Sequence, residues 1–256
     1  MATGAGAAAR KLGSAIVTGG TSGIGLAIAQ GLVTRGFDVL VTARSAPEEP
    51  LGPRIHVLEV DHSQPSAADV VFDGWERARI AQGLGPLTAL VNNVGRRHND
   101  LISELERDSL LETFALNVVS HMLLTRRLAP LLGETHGAIV NISSRLAVVG
   151  MPGVSGYSAS KGAMNAFTVA AAVELAPLGI RVNAVAPGMT RTPLIEAWLS
   201  EQPDPAAAEA EVSGRVPLAR LATPEDIAGA AVFLASPESG YITGAVLPAD
   251  GGYTVS

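Results

Sequence analysis

The residues best equipped for chemistry are Tyr157-Ser158-Ala159-Ser160-Lys161, read together with Ser144 upstream. A Tyr and a Lys four positions apart share one face of a helix. An ammonium close to a phenol favours the phenolate. Free tyrosine titrates near ~10, so it relays protons poorly at neutral pH, and a neighbouring cation is expected to lower that value. Ser144, thirteen positions before Tyr157, carries a hydroxyl that can hold a carbonyl oxygen beside the phenol. Together these groups can move a proton on and off an alcohol or ketone. Tyr–Lys pairs on helices are common, so the pattern gains weight only from what opens the chain.

That opening is Thr18-Gly19-Gly20-Thr21-Ser22-Gly23-Ile24-Gly25. A short apolar run, Ala15-Ile16-Val17, precedes it and reads as a buried strand. An amphipathic run follows, with Ile24, Ala27, Ile28 and Leu32 on one side and Gly36 at its end. Strand, glycine turn and helix form the first unit of a dinucleotide-binding fold. The glycines permit a tight turn and close backbone approach to a pyrophosphate. The helix N-terminus adds N–H donors and the positive end of its dipole.

The elements that must position these groups follow as alternating strands and helices. Strands are expected at 15–17, 39–41, 55–60, 89–91, 138–142, 182–186 and about 245–247, with helices between them. Right-handed crossovers then give a doubly wound, parallel seven-stranded sheet with helices on both faces. The chain has 256 residues and is 47% hydrophobic, enough for one sizeable core and one domain. Residues 1–10 read as a flexible tail and 11–256 as the domain. A net charge of −6 without a basic block argues against nucleic acid. No apolar run is long enough to cross a membrane, and no secretory signal is evident, so a cytoplasmic location is expected. Absence of cysteine excludes disulfides, thiolate metal sites and cysteine nucleophiles. The five histidines lack metal-ligand spacing, so no metal site is expected.

Further matches occur in order: Asp61 after the third strand, Asn92-Asn93-Val94-Gly95 after the fourth, Asn117 in a helix, Pro187-Gly188 after the sixth, and Asp250-Gly251-Gly252 near the end. With the G-x-x-x-G-x-G turn and Y-x-x-x-K, the chain from about Ser14 to Gly252 resembles the short-chain dehydrogenase/reductase family. The likeness is to its common short subgroup, which is 3-oxoacyl-carrier-protein reductase-like. The resemblance implies a single Rossmann-type catalytic domain with a substrate lid at about 189–221. It implies catalysis by Asn117, Ser144, Tyr157 and Lys161. Ser144 would orient the carbonyl, Tyr157 would act as general acid/base, and Lys161 would lower the tyrosine pKa and hold the nicotinamide ribose. Asn117 would bind a water linking Lys161 to solvent. For the cofactor it implies Gly19, Thr21, Ser22, Gly23, Ile24 and Gly25 at the pyrophosphate, and Asp61 and His62 at adenine. Asn93 would stand near the ribose. Pro187, Gly188, Thr190 and Thr192 would surround the nicotinamide, beside Tyr157 and Lys161. It also implies a homotetramer, with the small-residue segment Tyr157 to Leu178 at an interface. The same small residues also suit close packing on the chain's own sheet.

Cofactor preference turns on the end of the second strand. NAD-type members carry an Asp where this chain has Ala43, and Arg44 follows. A missing acid and a guanidinium able to pair with a 2′-phosphate point to NADP(H). NAD(H) stays open if Arg44 stacks on adenine or is solvated. The expected reaction interconverts a ketone and a secondary alcohol of a small-molecule substrate. The alternative is a non-catalytic dinucleotide sensor or interaction protein on the same fold. Leu194, Ile195, Ala197, Trp198 and Leu199 could wall the substrate pocket. Arg96, Arg97, His98, Arg145 and Arg191 follow strand ends, where they can recognise a substrate carboxylate or phosphate or stand as solvated rim charges.

Overall fold

A computed structural model describes residues 12–256; the tail expected at residues 1–10 lies outside the described residues. Seven parallel strands form one sheet: β1 Ser14–Thr18, β2 Asp38–Ala43, β3 Ile55–Glu59, β4 Leu87–Asn92, β5 Ala138–Ile142, β6 Arg181–Pro187 and β7 Val246–Ala249. Their order is β3-β2-β1-β4-β5-β6-β7. The central strands are apolar at successive positions because both faces of the sheet are covered. Ala15, Val17, Val39, Val41, Val91 and Val140 point to one side, against α1 (Gly23–Arg35) and α8 (Pro224–Ala235). Ile16, Leu40, Leu90, Ile139 and Val182 point to the other. That side is covered by α2 (Ala67–Gln82), α4 (Ser120–Glu134) and α5 (Ser155–Leu175).

The strand order reverses between β1 and β4. The connections leaving these two strands part in opposite directions and open a crevice at their carboxyl ends, the general ligand position of such sheets. Helix α1 stops where Gly36 adopts φ 106° and its N–H returns to the Leu32 and Val33 carbonyls. Helix α3 (Arg107–Phe114) runs through a π turn, Ala115–Val119, into α4.

Beyond β6 the chain leaves the sheet for α6 (Pro193–Ser200) and α7 (Pro205–Gly214). The excursion is closed at its base by a bridge between Thr190 and Ala222. The Arg191 N–H donates to the Ala222 carbonyl at 2.8 Å and the Ala222 N–H to the Met189 carbonyl at 3.0 Å. Residues 201–204 separate the two helices, and the Asp204 carboxylate caps α7 by accepting from the Ala207 N–H at 3.0 Å. In α5, Ala171 and Ala172 are buried against the chain's own sheet, while Val169 and Val173 are exposed. No described helix is long and apolar enough to cross a membrane.

Candidate active site

The glycine turn after β1 takes its shape from missing side chains. Gly19 and Gly23 have φ of 64° and 51°, a region that favours glycine. A Cβ on Gly25 would lie 2.1 Å from the Gly19 carbonyl oxygen and 2.6 Å from Asn93 Nδ2. Asn93 ties the ends of β1 and β4 together. Its Nδ2 donates to the carbonyls of Thr18 at 2.9 Å and Gly19 at 3.1 Å, and its backbone N–H donates to Thr18 Oγ1 at 2.8 Å. Ser22 stands at the N-cap of α1 but makes no side-chain cap bond, so the first-turn N–H groups keep their capacity for an anion.

A cleft of about 640 Å³ opens above this turn. Gly19, Thr21, Ser22, Gly23, Ile24, Gly25, Arg44, Asp61, His62 and Asn93 all line it. His62 lies 2.7 Å from Thr42 Oγ1, which also accepts from the Gly19 N–H at 3.3 Å. Burial pushes the imidazole from its ordinary 6.5 down to about 4, so this side chain is neutral at physiological pH. Asp61 accepts from the Ser63 hydroxyl at 2.7 Å and the Ser63 N–H at 2.9 Å. These bonds lower its pKa, with a smaller pull from the Arg44 guanidinium. Arg44 is exposed, and β2 ends on Ala43 without an acid. A close backbone turn, an open helix N-terminus and this volume fit a dinucleotide with its pyrophosphate on the turn.

A second cleft, about 220 Å³, adjoins the first and shares Ile24, Asn93, Gly95, Thr192 and Leu194 with it. Ser144, Tyr157, Lys161, Pro187, Gly188 and Thr190 line it. Ser144 lies two residues past the end of β5, and its Oγ accepts from the Leu146 N–H at 3.1 Å. It also lies close enough to the Tyr157 phenol to oppose the upward push of burial on its pKa. Ser143, its neighbour, is committed to Asn165 at 2.6 Å. Gly188 allows the end of β6 to press on the final turn, where a Cβ would lie 2.8 Å from the Asp250 Cα.

The electrostatics of the Tyr–Lys pair differ from expectation. The anticipated lowering of the tyrosine pKa by Lys161 is not found. Burial raises the Tyr157 phenol above its ordinary value, and the opposing pulls come from the Ser144 hydroxyl and the Arg97 guanidinium. Lys161 is itself buried, with Nζ donating to the Ile142 carbonyl at 2.8 Å and 5.8 Å from the Tyr157 ring centre. Burial lowers its pKa from 10.5 to about 8.

Asn117 is engaged by its neighbours through its side-chain amide. It is fully buried in the π turn. Its Oδ1 accepts from the Arg96 N–H at 2.9 Å, and its Nδ2 donates to the Arg96 carbonyl at 2.9 Å and to Ser160 Oγ at 3.0 Å. Both amide protons are therefore used in clamping the 95–97 loop to α5. A π turn shifts the backbone register and is frequent at functional sites.

Of the five residues expected to wall the pocket, Leu194 and Ile195 line it, joined by Leu146, Met151 and Met189. Leu199 is buried and Ala197 exposed; neither they nor Trp198 borders this cleft. The sequence reading missed two neighbours. Tyr253, near the chain's end, lies under the Arg145 guanidinium at 3.7 Å. His121 is fully buried, with both ring nitrogens lacking a hydrogen-bond partner. Burial holds its pKa well down, with the nearby Lys161 pulling the same way. Its place one turn after Asn117 was the available signal.

Comparison with known proteins agrees with this geometry. A family profile described as Enoyl-(Acyl carrier protein) reductase matches residues 19–254. The oxidoreductase YmfI of Bacillus subtilis is 37% identical over 251 residues, covering 94% of this chain and 98% of that protein. L-2,3-butanediol dehydrogenase of Corynebacterium glutamicum is 36% identical over 252 residues, covering 93% of this chain and 97% of that protein. Among solved structures, the Cj0485 dehydrogenase superposes with a TM-score of 0.89 at 31% identity, covering 96% of this chain and 95% of that one.

Proposed function

The chain belongs to the short-chain dehydrogenase/reductase family and is an oxidoreductase of CH–OH and C=O groups that uses a nicotinamide dinucleotide; from that premise we propose that it interconverts a ketone and a secondary alcohol with NADP(H), Tyr157 serving as the proton donor and acceptor. The observation that carries this reading is the meeting of Ser144, Tyr157 and Lys161 in a cleft continuous with the one above the glycine turn. The family profile bears the name of an enoyl reductase. The four-residue spacing of Tyr157 and Lys161 favours C=O over C=C chemistry, since enoyl reductases of the family space the two more widely.

The turn from Gly19 to Gly25 would hold the pyrophosphate, with Asp61 and His62 beside adenine and Arg44 at the ribose 2′-phosphate. Pro187, Gly188, Thr190 and Thr192 would surround the nicotinamide. When bound, the nicotinamide exchanges a hydride with the carbinol carbon. Ser144 holds the substrate oxygen beside Tyr157. The phenol, kept protonated by burial, is ready to donate to that oxygen during reduction. Lys161 supplies a positive charge behind the phenol and offers donors to the ribose. Asn117 positions the 95–97 loop. A homotetramer fits the exposed Val169 and Val173 on α5, with Val119 and Met122 exposed on the neighbouring helical segment. A cytoplasmic location goes with this reading.

The test of cofactor choice is a fluorescence titration of the purified protein with NADPH and NADH side by side. NADPH is expected to bind at least tenfold more tightly, and Arg44→Ala is expected to close the gap. A preference for NADH in the unaltered protein would contradict the reading of Arg44.

A further inference from the structure

The five basic residues at the strand ends separate into two groups. Arg96 pairs with Glu112 at 2.7 Å and is exposed. Arg191 pairs with Glu196 at 2.8 Å and with Glu209. His98 stands 4.0 Å from the Glu112 carboxylate. None of these three lines the smaller cleft that holds Tyr157. Arg97 and Arg145 have no carboxylate partner among the described residues, and residues 1–11 contain no Asp or Glu.

Both of these arginines line the smaller cleft with Ser144 and Tyr157. Arg145 is only 8% exposed, and its guanidinium rests on the Tyr253 ring without a side-chain hydrogen bond to any described residue. Arg97 donates from Nε to Asn99 Oδ1 at 2.8 Å, leaving the rest of its fork open. Burial and the Arg145 charge both work against its ionised form. Two like charges held in a partly buried cleft are costly unless a counterion joins them. Arginine forks suit carboxylate, sulfonate and phosphate oxygens. The opposite side of the cleft is apolar, built from Met151, Met189, Leu194 and Ile195.

Building on the oxidoreductase reading above, we propose that the substrate carries an anionic group, bound between Arg97 and Arg145 a short distance from the reacting C–O bond. Arg97 and Arg145 line the same small cleft as Ser144 and Tyr157, so the anion and the reacting carbon belong to one compact molecule. The apolar wall would cover the remainder of a small keto or hydroxy acid, or of a phosphorylated or sulfonated equivalent.

The test uses the full chain with NADPH and two substrate pairs that differ in charge. These are acetoacetate against methyl acetoacetate, and dihydroxyacetone phosphate against dihydroxyacetone. At least one anionic member is expected to be reduced with tenfold or greater kcat/KM than its neutral partner. Which pair shows the larger ratio tells carboxylate from phosphate. Arg97→Gln and Arg145→Gln should each lower that ratio tenfold or more, with Arg145→Lys intermediate. In parallel, the NADPH complex is titrated calorimetrically with sodium sulfate. Binding that weakens tenfold or more in both variants supports the anion site even if none of the four carbonyls is reduced, in which case the activity reading fails instead. Carbonyl reduction indifferent to charge, with sulfate affinity equal in the unaltered protein and both variants, would overturn the anion site and leave the oxidoreductase reading standing.

Discussion

Lys161 is charged below about 8 and neutral above it, because burial lowers its pKa from 10.5. Tyr157 is pushed the other way and stays protonated across the same range. If reduction needs the Lys161 ammonium, kcat/KM should be level up to about pH 8 and fall above it as that proton is lost. Lys161→Arg should move any remaining alkaline limb upward, since a guanidinium keeps its charge. A limb in the unaltered enzyme only above 10 would assign the titration to the phenol instead. The spacing of Tyr157 and Lys161 made their shared helical face legible in the sequence. The direction of the phenol's shift was not, because it depends on burial in the folded chain, which outweighs the opposing influences of Ser144 and Arg97. The reach of Lys161 to the Ile142 carbonyl likewise depends on where β5 ends against α5.

At the scale of elements, the turn between β1 and α1 is the part least able to change. Gly25→Ala places a Cβ against backbone that cannot retreat, 2.1 Å from the Gly19 oxygen. It should destabilise the protein by roughly 1–3 kcal/mol, as overpacking does, and weaken NADPH binding at least tenfold. Gly229→Ala in α8 is the control, since a Cβ there meets nothing within 4 Å and alanine improves helix propensity. Thermal melts and nucleotide titrations read both, and a Gly25→Ala protein matching the control would refute the close-turn account. The strands were readable because buried parallel strands are short apolar runs bounded by turn residues, and each of the seven was anticipated to within about two or three residues. The π turn at 115–119 was not, because nothing in Ala115-Leu116-Asn117-Val118-Val119 distinguishes an i→i+5 bond from an ordinary helical one. The excursion after β6 was legible as a segment, but which of its apolar residues face the cleft depends on how α6 rotates against the sheet.

The whole molecule brings together residues from distant parts of the chain by reversing strand order between β1 and β4. The two clefts share Asn93, Gly95 and Thr192 and adjoin as one elongated cavity. That arrangement was legible because motifs at 18–25, 92–95, 144, 157–161 and 187–188 all follow or adjoin carboxyl ends of strands. The division of the strand-end arginines into paired and unpaired was hidden, because Glu112, Glu196 and Glu209 approach them only in the folded chain. The central claim is that this continuous site performs proton-coupled redox chemistry at Tyr157. Its most direct test is Tyr157→Phe, assayed for carbonyl reduction and for NADPH binding on the same preparation. Turnover is expected to fall at least about a hundredfold, the usual scale for losing a general acid, while NADPH affinity stays within about twofold of the unaltered protein. Near-native turnover by the variant would contradict the account.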